Sequence, residues 1–480
     1  MKHPFSPPAR WLMVAGFCCL LYGSVAAQSW TLAWNDEFNG PANSAIDTTK
    51  WQFETGILQV NNEVEYYCAP GSSTSPCLPG TPNAYLDGSG HLVIKALEVA
   101  SSVAPYSASW TSARLNTANH LASFKYGRIE SSMRLPIGPG LWPAFWALGT
   151  NITTVGWPTS GEIDYMENVP ASGGLGPGTV KSTLHGPGYS GGSGLGQDYA
   201  FARGGQVNTA FHTYGAIWSP NMIQFYVDDP GKVFFVRTAS DIPAGTAWPY
   251  NANFYLLLNL AVGGTGSWPG TPDRTTPNPA LMLVDYVRAY TPSKVAAPAI
   301  SGTSISLTAG QAGRGAVSLN SAAGSGGRVY LSCSTTAPKA ACSIASADAL
   351  NPHTLDLSRA PVGTATVTVT TTANTAGLRG SPNSGWKGAS ALAGIFAVFG
   401  LALIPSGPAR ELRRGVAGTG LLCLLLVFPN GLRTTTGSGT GGGAGAGTTP
   451  GDYTVTLNAY TVSNSDGAPD STATISLKVH

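Results

Sequence analysis

Charged side chains are scarce in this chain of 480 residues. Asp, Glu, Lys and Arg make up 10% of it, and the formal net charge is only +2. A charge this small gives no reason to expect a nucleic-acid partner. Long runs with the 3.6-residue period of amphipathic helices are missing, and histidines and cysteines do not gather at metal-ligand spacing. These absences disfavour a helical bundle, a nucleic-acid-binding protein and a zinc protein.

Turn-forming residues are abundant instead, with 61 glycines and 35 prolines. Many turns and few charges are typical of a loop-rich, all-β protein. Residues 30–291 predict one large β-sandwich, because alternating or β-branched runs lie between turn signals throughout. The runs cover residues 91–96, 126–134, 212–218, 223–227, 254–260 and 281–290.

The first residues have the pattern of a signal peptide. Lys2 and Arg10 make a basic start, residues 11–23 are apolar, and small residues follow. We therefore predict a signal peptide over 1–27, a mature chain that begins at Gln28, and export to the cell envelope or out of the cell. The alternative is an uncleaved anchor, for which the apolar run is short.

Cysteine spacing agrees with export. Cys68 and Cys77 lie close together in a loop-like segment, and so do Cys333 and Cys342. Each pair could close a small disulfide in an oxidising compartment, or the thiols could be unrelated. Cys423 is left over in an apolar run.

The composition changes after residue 293. Aromatic residues nearly vanish, and Thr, Ser, Ala and Gly form runs that alternate with period two. We predict a catalytic domain over 28–293 and a small immunoglobulin-like sandwich in two parts, 294–376 and 449–480. The segment 377–448 separates the two parts.

This separating segment has two interpretations. Residues 389–404 and 416–428 are apolar and flank three arginines, and a glycine-rich tract follows. A transmembrane hairpin would place the arginines on the cytoplasmic side and give membrane association through 389–428. The alternative is a loosely packed insertion, because each apolar run falls short of the ~20 residues that span a bilayer.

Three acids lie within six residues, at Glu162, Asp164 and Glu167, in a strand-like run. Side chains alternate along a strand, so Glu162 and Asp164 share a face while Glu167 has the wrong parity. One β-bulge after Asp164 would bring all three to one face. A retaining glycosidase needs two carboxyl groups about 5–5.5 Å apart, one to attack the sugar and one to donate a proton. A solvated acidic face or a calcium site is the alternative, although repulsion among the acids disfavours a purely structural role.

Residues 160–167 resemble the signature of glycoside hydrolase family 16, in the bulged form typical of its laminarinase-like members. Further segments resemble the family in the expected order, so the similarity covers nearly all of 30–291. The segments are 34–38, 61–67, 141–146, 183–186, 211–218 and 285–288. The resemblance implies a jelly-roll β-sandwich, similar to concanavalin A, with a substrate cleft across its concave face.

By this resemblance Glu162 is the nucleophile, Asp164 the assisting acid and Glu167 the acid/base. The implied activity is endo-acting, retaining hydrolysis of β-1,3-glucan by a monomer, with no catalytic cofactor. Another family 16 polysaccharide, such as mixed-linkage β-glucan or a galactan, is one alternative. A non-catalytic glycan-binding protein, or a surface-anchored protein that binds through its C-terminal sandwich, is another.

Several residues are predicted to bind substrate. Trp142 and Trp146 could stack on sugar rings, and we expect one of them to face the core and Trp142 to meet the sugar. By the resemblance, Arg114, Asn61 and His185 also contact the substrate.

Two further points come from the resemblance. Glu65 stands where the family usually has Gln, which leaves the substrate preference open.

Many family members bind a structural calcium ion, for which Glu37, Asp285 and the carbonyl group of Gly90 are the candidate ligands here.

Overall fold

The computed structural model describes residues 28–58, 60–99, 109–170, 174–321, 327–358, 360–373, 447–463 and 467–480. The predicted signal peptide, the apolar runs of the predicted hairpin and Cys423 lie outside these residues. Among the helices in the described ranges, none has the length and apolar character needed to cross a membrane.

The first part of the chain is built almost wholly of strands, which confirms the all-β prediction. Its few helical turns are α1 (Ile152–Val155) and the 3-10 turns Gly191–Ser193, Ala202–Gly204 and Pro249–Asn251. Its strands are β1 (Trp30–Asp36), β2 (Gln52–Glu54), β3 (Glu65–Tyr67), β4 (Ala84–Leu86), β5 (Leu92–Glu98), β6 (Trp110–Ser112), β7 (Arg114–Asn116), β8 (Gly127–Arg134), β9 (Leu141–Gly149), β10 (Glu162–Glu167), β11 (Thr179–His185), β12 (Leu195–Ala200), β13 (His212–Ser219), β14 (Met222–Val227), β15 (Val233–Thr238), β16 (Phe254–Val262) and β17 (Ala280–Pro292).

These strands form two sheets. The larger runs β15-β14-β13-β8-β17-β5-β6-β3, with β1 paired to β17 and β4 to β5. The smaller runs β12-β11-β10-β9-β16-β7-β2. One hydrophobic core contains residues of both sheets, including Phe145, Met166, Phe225 and Leu258. The strand that holds the acidic cluster, β10, therefore lies inside the smaller sheet, with a neighbour on each side.

The C-terminal part is a second sandwich with its own core. Its sheets run β18-β20-β24-β22 and β19-β26-β25-β21-β23. Its strands are β18 (Ala299–Gly302), β19 (Ile305–Leu307), β20 (Ala312–Asn320), β21 (Arg328–Thr335), β22 (Ala340–Ser346), β23 (Thr354–Asp356), β24 (Val362–Thr371), β25 (Gly451–Tyr460) and β26 (Ser471–Val479).

Both disulfides suggested by the cysteine spacing are present. Cys68 is bonded to Cys77, with Cα atoms 5.7 Å apart. Cys333 on β21 is bonded to Cys342 on β22, with Cα atoms 6.0 Å apart. The second bond joins the two sheets of the C-terminal sandwich.

The C-terminal sandwich packs against the edge of the larger sheet of the first sandwich. Met222 of β14 and Val236 of the edge strand β15 are fully buried in a small apolar cluster with Tyr330 of β21. Asn351, which is 2% exposed, donates a side-chain hydrogen bond of 2.6 Å to Asp241, just after β15. An open edge strand is a template for unwanted pairing, so this contact protects β15.

Candidate active site

A β-bulge interrupts β10 at the acidic cluster. From Asp164 to Glu167 the strand advances three residues, while its neighbour β11 advances only two, from Thr183 to Lys181. The pairing with β9 shifts at the same place. An excess of one residue on one strand is the definition of a bulge. The bulge predicted from the odd spacing of the acids is therefore confirmed.

The bulge sends two consecutive side chains to the same side of the sheet. Tyr165 and Met166 are both buried in the core, together with Ile163. The acids that alternate with them therefore share the outer face. Glu162 and Glu167 at the two ends of the strand are each partly exposed.

A row of polar side chains on β11 faces the three acids. The register places Glu162 opposite His185, Asp164 opposite Thr183 and Glu167 opposite Lys181. Residues 181, 183 and 185 share a face because side chains on a strand alternate. One wall of the site is thus built by two strands that run side by side.

Each glutamate accepts a hydrogen bond from a tryptophan. Nε1 of Trp157 donates to Oε2 of Glu162 at 2.6 Å. Nε1 of Trp142 donates to Oε1 of Glu167 at 3.1 Å, and the Thr183 hydroxyl lies 3.5 Å from the other oxygen of Glu167. A donor aimed at a carboxylate stabilises its charged form, so both indoles hold the glutamates in position for chemistry.

Burial and mutual repulsion raise the pKa of all three acids. Burial, followed by the charge of Asp164, raises the pKa of Glu162 to about 8, although His185 and the Trp157 N–H oppose the change. Burial also raises the pKa of Glu167 to about 7. Burial and the charge of Glu167 hold the pKa of Asp164 well above its ordinary value. The cluster therefore retains protons near neutral pH, as a proton-donating acid requires.

His185 lies beside the middle acid, with its Nε2 atom 3.2 Å from Oδ2 of Asp164. Gly194 closes the site behind the imidazole. A Cβ atom at this glycine would lie 2.5 Å from Cε1 of His185, so no larger residue fits without moving the ring. The structure thus places His185 beside the acidic cluster, and its contact with substrate stays a prediction.

The expectation that one of Trp142 and Trp146 faces the core is wrong. Both are partly exposed and neither belongs to the core cluster. They are four residues apart on β9, whose pairing with β16 has no shift, so strand alternation puts both on the site's face. Trp142 packs edge-on against Trp268, and Nε1 of Trp146 donates to Asn259 at 2.8 Å.

The other predicted substrate-binding residues lie on the same side of the sandwich. The Arg114 guanidinium stacks on the Trp146 ring, 4.6 Å from its centroid, and pairs with Glu54 at 2.8 Å. Asn61 is in a turn, where its side-chain amide donates to Glu63 at 3.2 Å. Their contact with substrate stays a prediction.

A cleft of about 620 Å³ opens beside the acidic cluster, of which Glu167 lines it. Four predicted site residues line it, namely Asn61, Trp142, Glu167 and His185, and Trp268 contributes a further wall. Trp268 is 37% exposed, so its ring is accessible from the cleft. A groove with an acidic floor and aromatic walls suits a sugar chain, whose rings have both polar edges and apolar faces.

Glu65 lies beneath this cleft rather than in it. It is 1% exposed, and its Oε2 accepts the backbone N–H of Val262 at 2.8 Å. Burial, followed by the charge of Glu63, holds its pKa well above the ordinary value. Because a protonated carboxyl group both donates and accepts, it resembles the amide of the Gln that the family usually has here.

The acidic cluster is also the one group of three His, Cys, Asp or Glu side chains in the described ranges that is close enough to hold a metal ion. Ligand atoms of Glu162, Asp164 and His185 lie within 4.8 Å of one another. Protonation of the buried acids relieves the same crowding of negative charge without a metal.

The predicted calcium ligands are only partly available. Both carboxylate oxygens of Glu37 accept hydrogen bonds from Arg288, at 2.8 and 2.7 Å. This leaves Glu37 its backbone carbonyl as a calcium ligand. The Asp285 carboxylate has no hydrogen-bond or ion-pair partner among the described residues, so it is free to bind. A calcium site with Gly90 stays a prediction.

The sequence alone did not identify several residues of the site. Lys181 and Thr183 could have been found, because they precede His185 at spacings of two in the segment that forms β11. Trp157 and Trp268 come from loops, where no periodicity indicates the direction of a side chain. Asn259 lies inside an apolar strand, and its contact with Trp146 depends on sheet pairing.

Comparison with known proteins now places the chain. The family described as glycosyl hydrolases family 16 matches residues 83–288. The glucan endo-1,3-beta-glucosidase A1 of Niallia circulans is 38% identical over 275 residues, which are 55% of this chain and 38% of that protein. The beta-glucanase of Rhodothermus marinus is 35% identical over 276 residues, 55% of this chain and 86% of that one. The glucan endo-1,3-beta-glucosidase of Cryptopygus antarcticus is 33% identical over 296 residues, 58% of this chain and 97% of that one.

The extent of these matches differs. The chain spans well under half of the Niallia circulans protein but nearly all of the Cryptopygus antarcticus protein. The matched family region contains β10 and the three acids. From the coverage of the second and third relatives together with this match, the chain belongs to glycosyl hydrolases family 16.

Proposed function

We propose that this protein is an endo-acting hydrolase of β-1,3-glucan that retains the configuration of the anomeric carbon. The observation that carries the proposal is the bulge in β10, which gathers Glu162, Asp164 and Glu167 on one face, with Glu167 lining the adjacent cleft. The relatives from Niallia circulans and Cryptopygus antarcticus, both named glucan endo-1,3-beta-glucosidases, support the choice of β-1,3-linked glucan.

In the first step, an oxygen of the Glu162 carboxylate attacks the anomeric carbon. The bond from this carbon to the glycosidic oxygen breaks, and the Glu167 carboxyl group transfers its proton to the departing oxygen. The sugar is now an ester of Glu162, and Glu167 is ionised. The hydrogen bond from Trp142 supports the charge that Glu167 has acquired.

In the second step, the Glu167 carboxylate takes a proton from water as the water oxygen attacks the anomeric carbon. The ester bond to Glu162 breaks, and both glutamates return to their starting states. Two inversions at one carbon give net retention. No cofactor takes part in either step.

Asp164 and the hydrogen-bond donors around the acids set the balance of protons between the two glutamates. Burial and the charge of Glu167 raise the pKa of Asp164, while the side-chain hydrogen bond that it accepts from Glu162 has the opposite effect. Attack requires the negative charge on Glu162, and the Trp157 N–H that donates to it stabilises this charged form. The pKa of Glu162 is raised to about 8 and that of Glu167 to about 7, so the reactive form, with Glu162 ionised and Glu167 protonated, is one of the protonation states present near neutral pH.

The cleft and the disulfides support two finer points. The cleft has Trp142 and Trp268 among its lining residues, which suits binding along a sugar chain and so favours an endo-acting hydrolase. Two disulfides suit an oxidising compartment, so we include export of the protein in the proposal.

A reducing-sugar assay of the mature chain, residues 28–480, tests the proposal. We expect release from laminarin-type β-1,3-glucan to exceed release from mixed-linkage glucan and from galactans. Proton NMR of the first product should show the β anomer. Activity that is confined to galactan would overturn the substrate, and an initial α anomer would overturn retention. Glu162→Gln, with its shape preserved, is the control and should be inactive.

A further inference from the structure

Glu65 is a buried acid that the proposed reaction does not use. One oxygen is bound to the N–H of Val262, whereas the other, Oε1, is buried without a hydrogen-bond partner in the described chain. A buried carboxylate with an unpaired oxygen is strongly unfavourable, because the hydrogen bonds that its charge made with water are not replaced. The site is therefore built for the uncharged acid.

Glu63 and Tyr67, which lie two residues before and after Glu65, belong to a hydrogen-bonded path that starts at the cleft. Glu63 accepts a hydrogen bond from the cleft-lining Asn61 and another, at 3.4 Å, from the Tyr67 hydroxyl. The Tyr67 hydroxyl in turn accepts from Asn259 at 3.2 Å. Asn259 also binds the indole of Trp146, which pairs in register with Asp164. A continuous polar chain thus runs from the turn at 61–63 to the neighbour of a catalytic acid.

Glu65 also binds the end of β16, on the side of the cleft that carries Trp268. The peptide of Val262 is bound twice, since its N–H donates to Glu65 and its carbonyl accepts from the N–H of Val64 at 2.9 Å. Val262 ends β16, and the loop that follows carries the cleft residue Trp268. The loop is tied back to the turn, because Gly264 N–H donates to the carbonyl of Asn62 at 2.9 Å.

We propose that Glu65 is a positioning residue whose buried, uncharged carboxyl group holds the 61–63 turn and the 263–268 loop in register for the polysaccharide. This inference rests on the proposed function. When Glu65 ionises, its charge lies beside Glu63 in a buried site, and the two walls are pushed apart. Substrate binding weakens as a result, while the acids on β10 remain in place.

The groups around Glu65 determine the direction of this effect. The titratable groups that influence it are Glu63 and Tyr67. The positive charge of Arg114 on β7 lowers the pKa of Tyr67, although burial holds that pKa above its ordinary value. Strand β6, which pairs with β3, contributes no titratable side chain. The nearest negative charge is thus that of Glu63, so ionisation of Glu65 adds repulsion.

The first test compares the pH dependence of KM and kcat on β-1,3-glucan for the wild-type chain and Glu65→Gln. From neutral to alkaline pH, we expect the wild-type KM to rise about fivefold or more. The KM of Glu65→Gln should stay level, because an amide does not ionise. The pH profile of kcat should be the same in both, since Glu162 and Glu167 set it. Glu98→Gln, which alters an exposed acid on β5, is the matched control and should follow the wild type.

The second test needs no substrate. Hydrogen–deuterium exchange of segments 61–67 and 258–268 is measured at matched pH in the wild type and in Glu65→Gln. Above the titration of Glu65, exchange should be several-fold faster in the wild type. Equal exchange at every pH, or an equal rise in KM in both proteins, would overturn the role of Glu65. Loss of the proposed function alone would appear as inactivity on glucan with the exchange difference intact.

Discussion

Nε1 of Trp157 lies 2.6 Å from Oε2 of Glu162, although Trp157 belongs to the loop before β10 and is 49% exposed. The acid that the mechanism requires to be ionised is thus held by a donor at the mouth of the cleft. This hydrogen bond lowers the pKa of Glu162 against the effects of burial and of Asp164.

Trp157→Phe should therefore weaken catalysis and change its pH dependence. A hydrogen bond to a charged group contributes about 1.5–3 kcal/mol, which corresponds to a loss in kcat/KM of about 10- to 100-fold. Without the N–H the pKa of Glu162 rises, so the acid limb of kcat/KM moves to higher pH. Trp268→Phe is the control, because no acid among the described residues accepts from its indole, and its acid limb should not move. An unshifted limb in Trp157→Phe would contradict the role given to this donor.

Glu162→Gln should make the protein inactive but more stable at neutral pH. The folded-state pKa of about 8 exceeds the ordinary value of 4.5, so folding favours the protonated form. The stability that this proton contributes is complete below the ordinary pKa and declines as the pH rises to about 8. A glutamine at position 162 does not ionise, so the variant does not lose this stability as the pH rises. We expect its unfolding free energy to exceed that of the wild type by about 3 kcal/mol at pH 7 and by less at pH 4, as measured by urea unfolding.

Glu167→Gln should lose activity according to the leaving group. The amide cannot donate a proton to the glycosidic oxygen, so hydrolysis of glucan should fall by about 10²- to 10⁴-fold. An aryl β-glucoside oligomer with an acidic phenol needs little protonation, so formation of its glycosyl-enzyme should fall far less. Burst-phase release of the phenol measures this step. Glu162→Gln should lose activity on both substrates equally. If instead Glu162→Gln kept its activity on the aryl substrate and Glu167→Gln lost it, the nucleophile and the acid/base would have to be exchanged.

Asn351→Ala should loosen the contact between the two sandwiches. The change removes a donor from the part-buried Asp241 carboxylate, which costs about 1 kcal/mol. Thermal unfolding should begin earlier, with the second sandwich separating from the edge strand β15. Asn458→Ala, which removes an exposed partner of Thr472, is the matched control and should change the midpoint little. Equal midpoints in both variants would show that the contact adds no stability.

Local patterns were sufficient for much of the site. The spacing of Glu162, Asp164 and Glu167 required a bulge, because strand parity has only two values and one extra residue exchanges them. Trp142 and Trp146 are four residues apart, so the same alternation puts them on one face of β9 if the strand has no bulge between them. The pairing of β9 with β16 shows no such bulge, and this was not known from the sequence. Close spacing of Cys68 and Cys77 likewise restricted the partner of each.

The other contacts depend on residues that are distant in the chain. Trp268 reaches Trp142 from a loop more than a hundred residues later, and the Val262 amide meets Glu65 across a similar separation. Such contacts follow from which strands are neighbours, and strand order is set by the packing of the whole sandwich. No periodicity of a single segment encodes it.

The sequence by itself determined the family, the all-β architecture and the acids of the candidate site, since these follow from residue type, spacing and the alternation of a strand. Only the tertiary structure decided which tryptophans donate to which glutamates, that Glu65 lies buried under two walls of the cleft, and that the C-terminal sandwich covers β15. Burial and the direction of a hydrogen bond are properties of neighbours in space, and folding brings those neighbours together from distant parts of the chain.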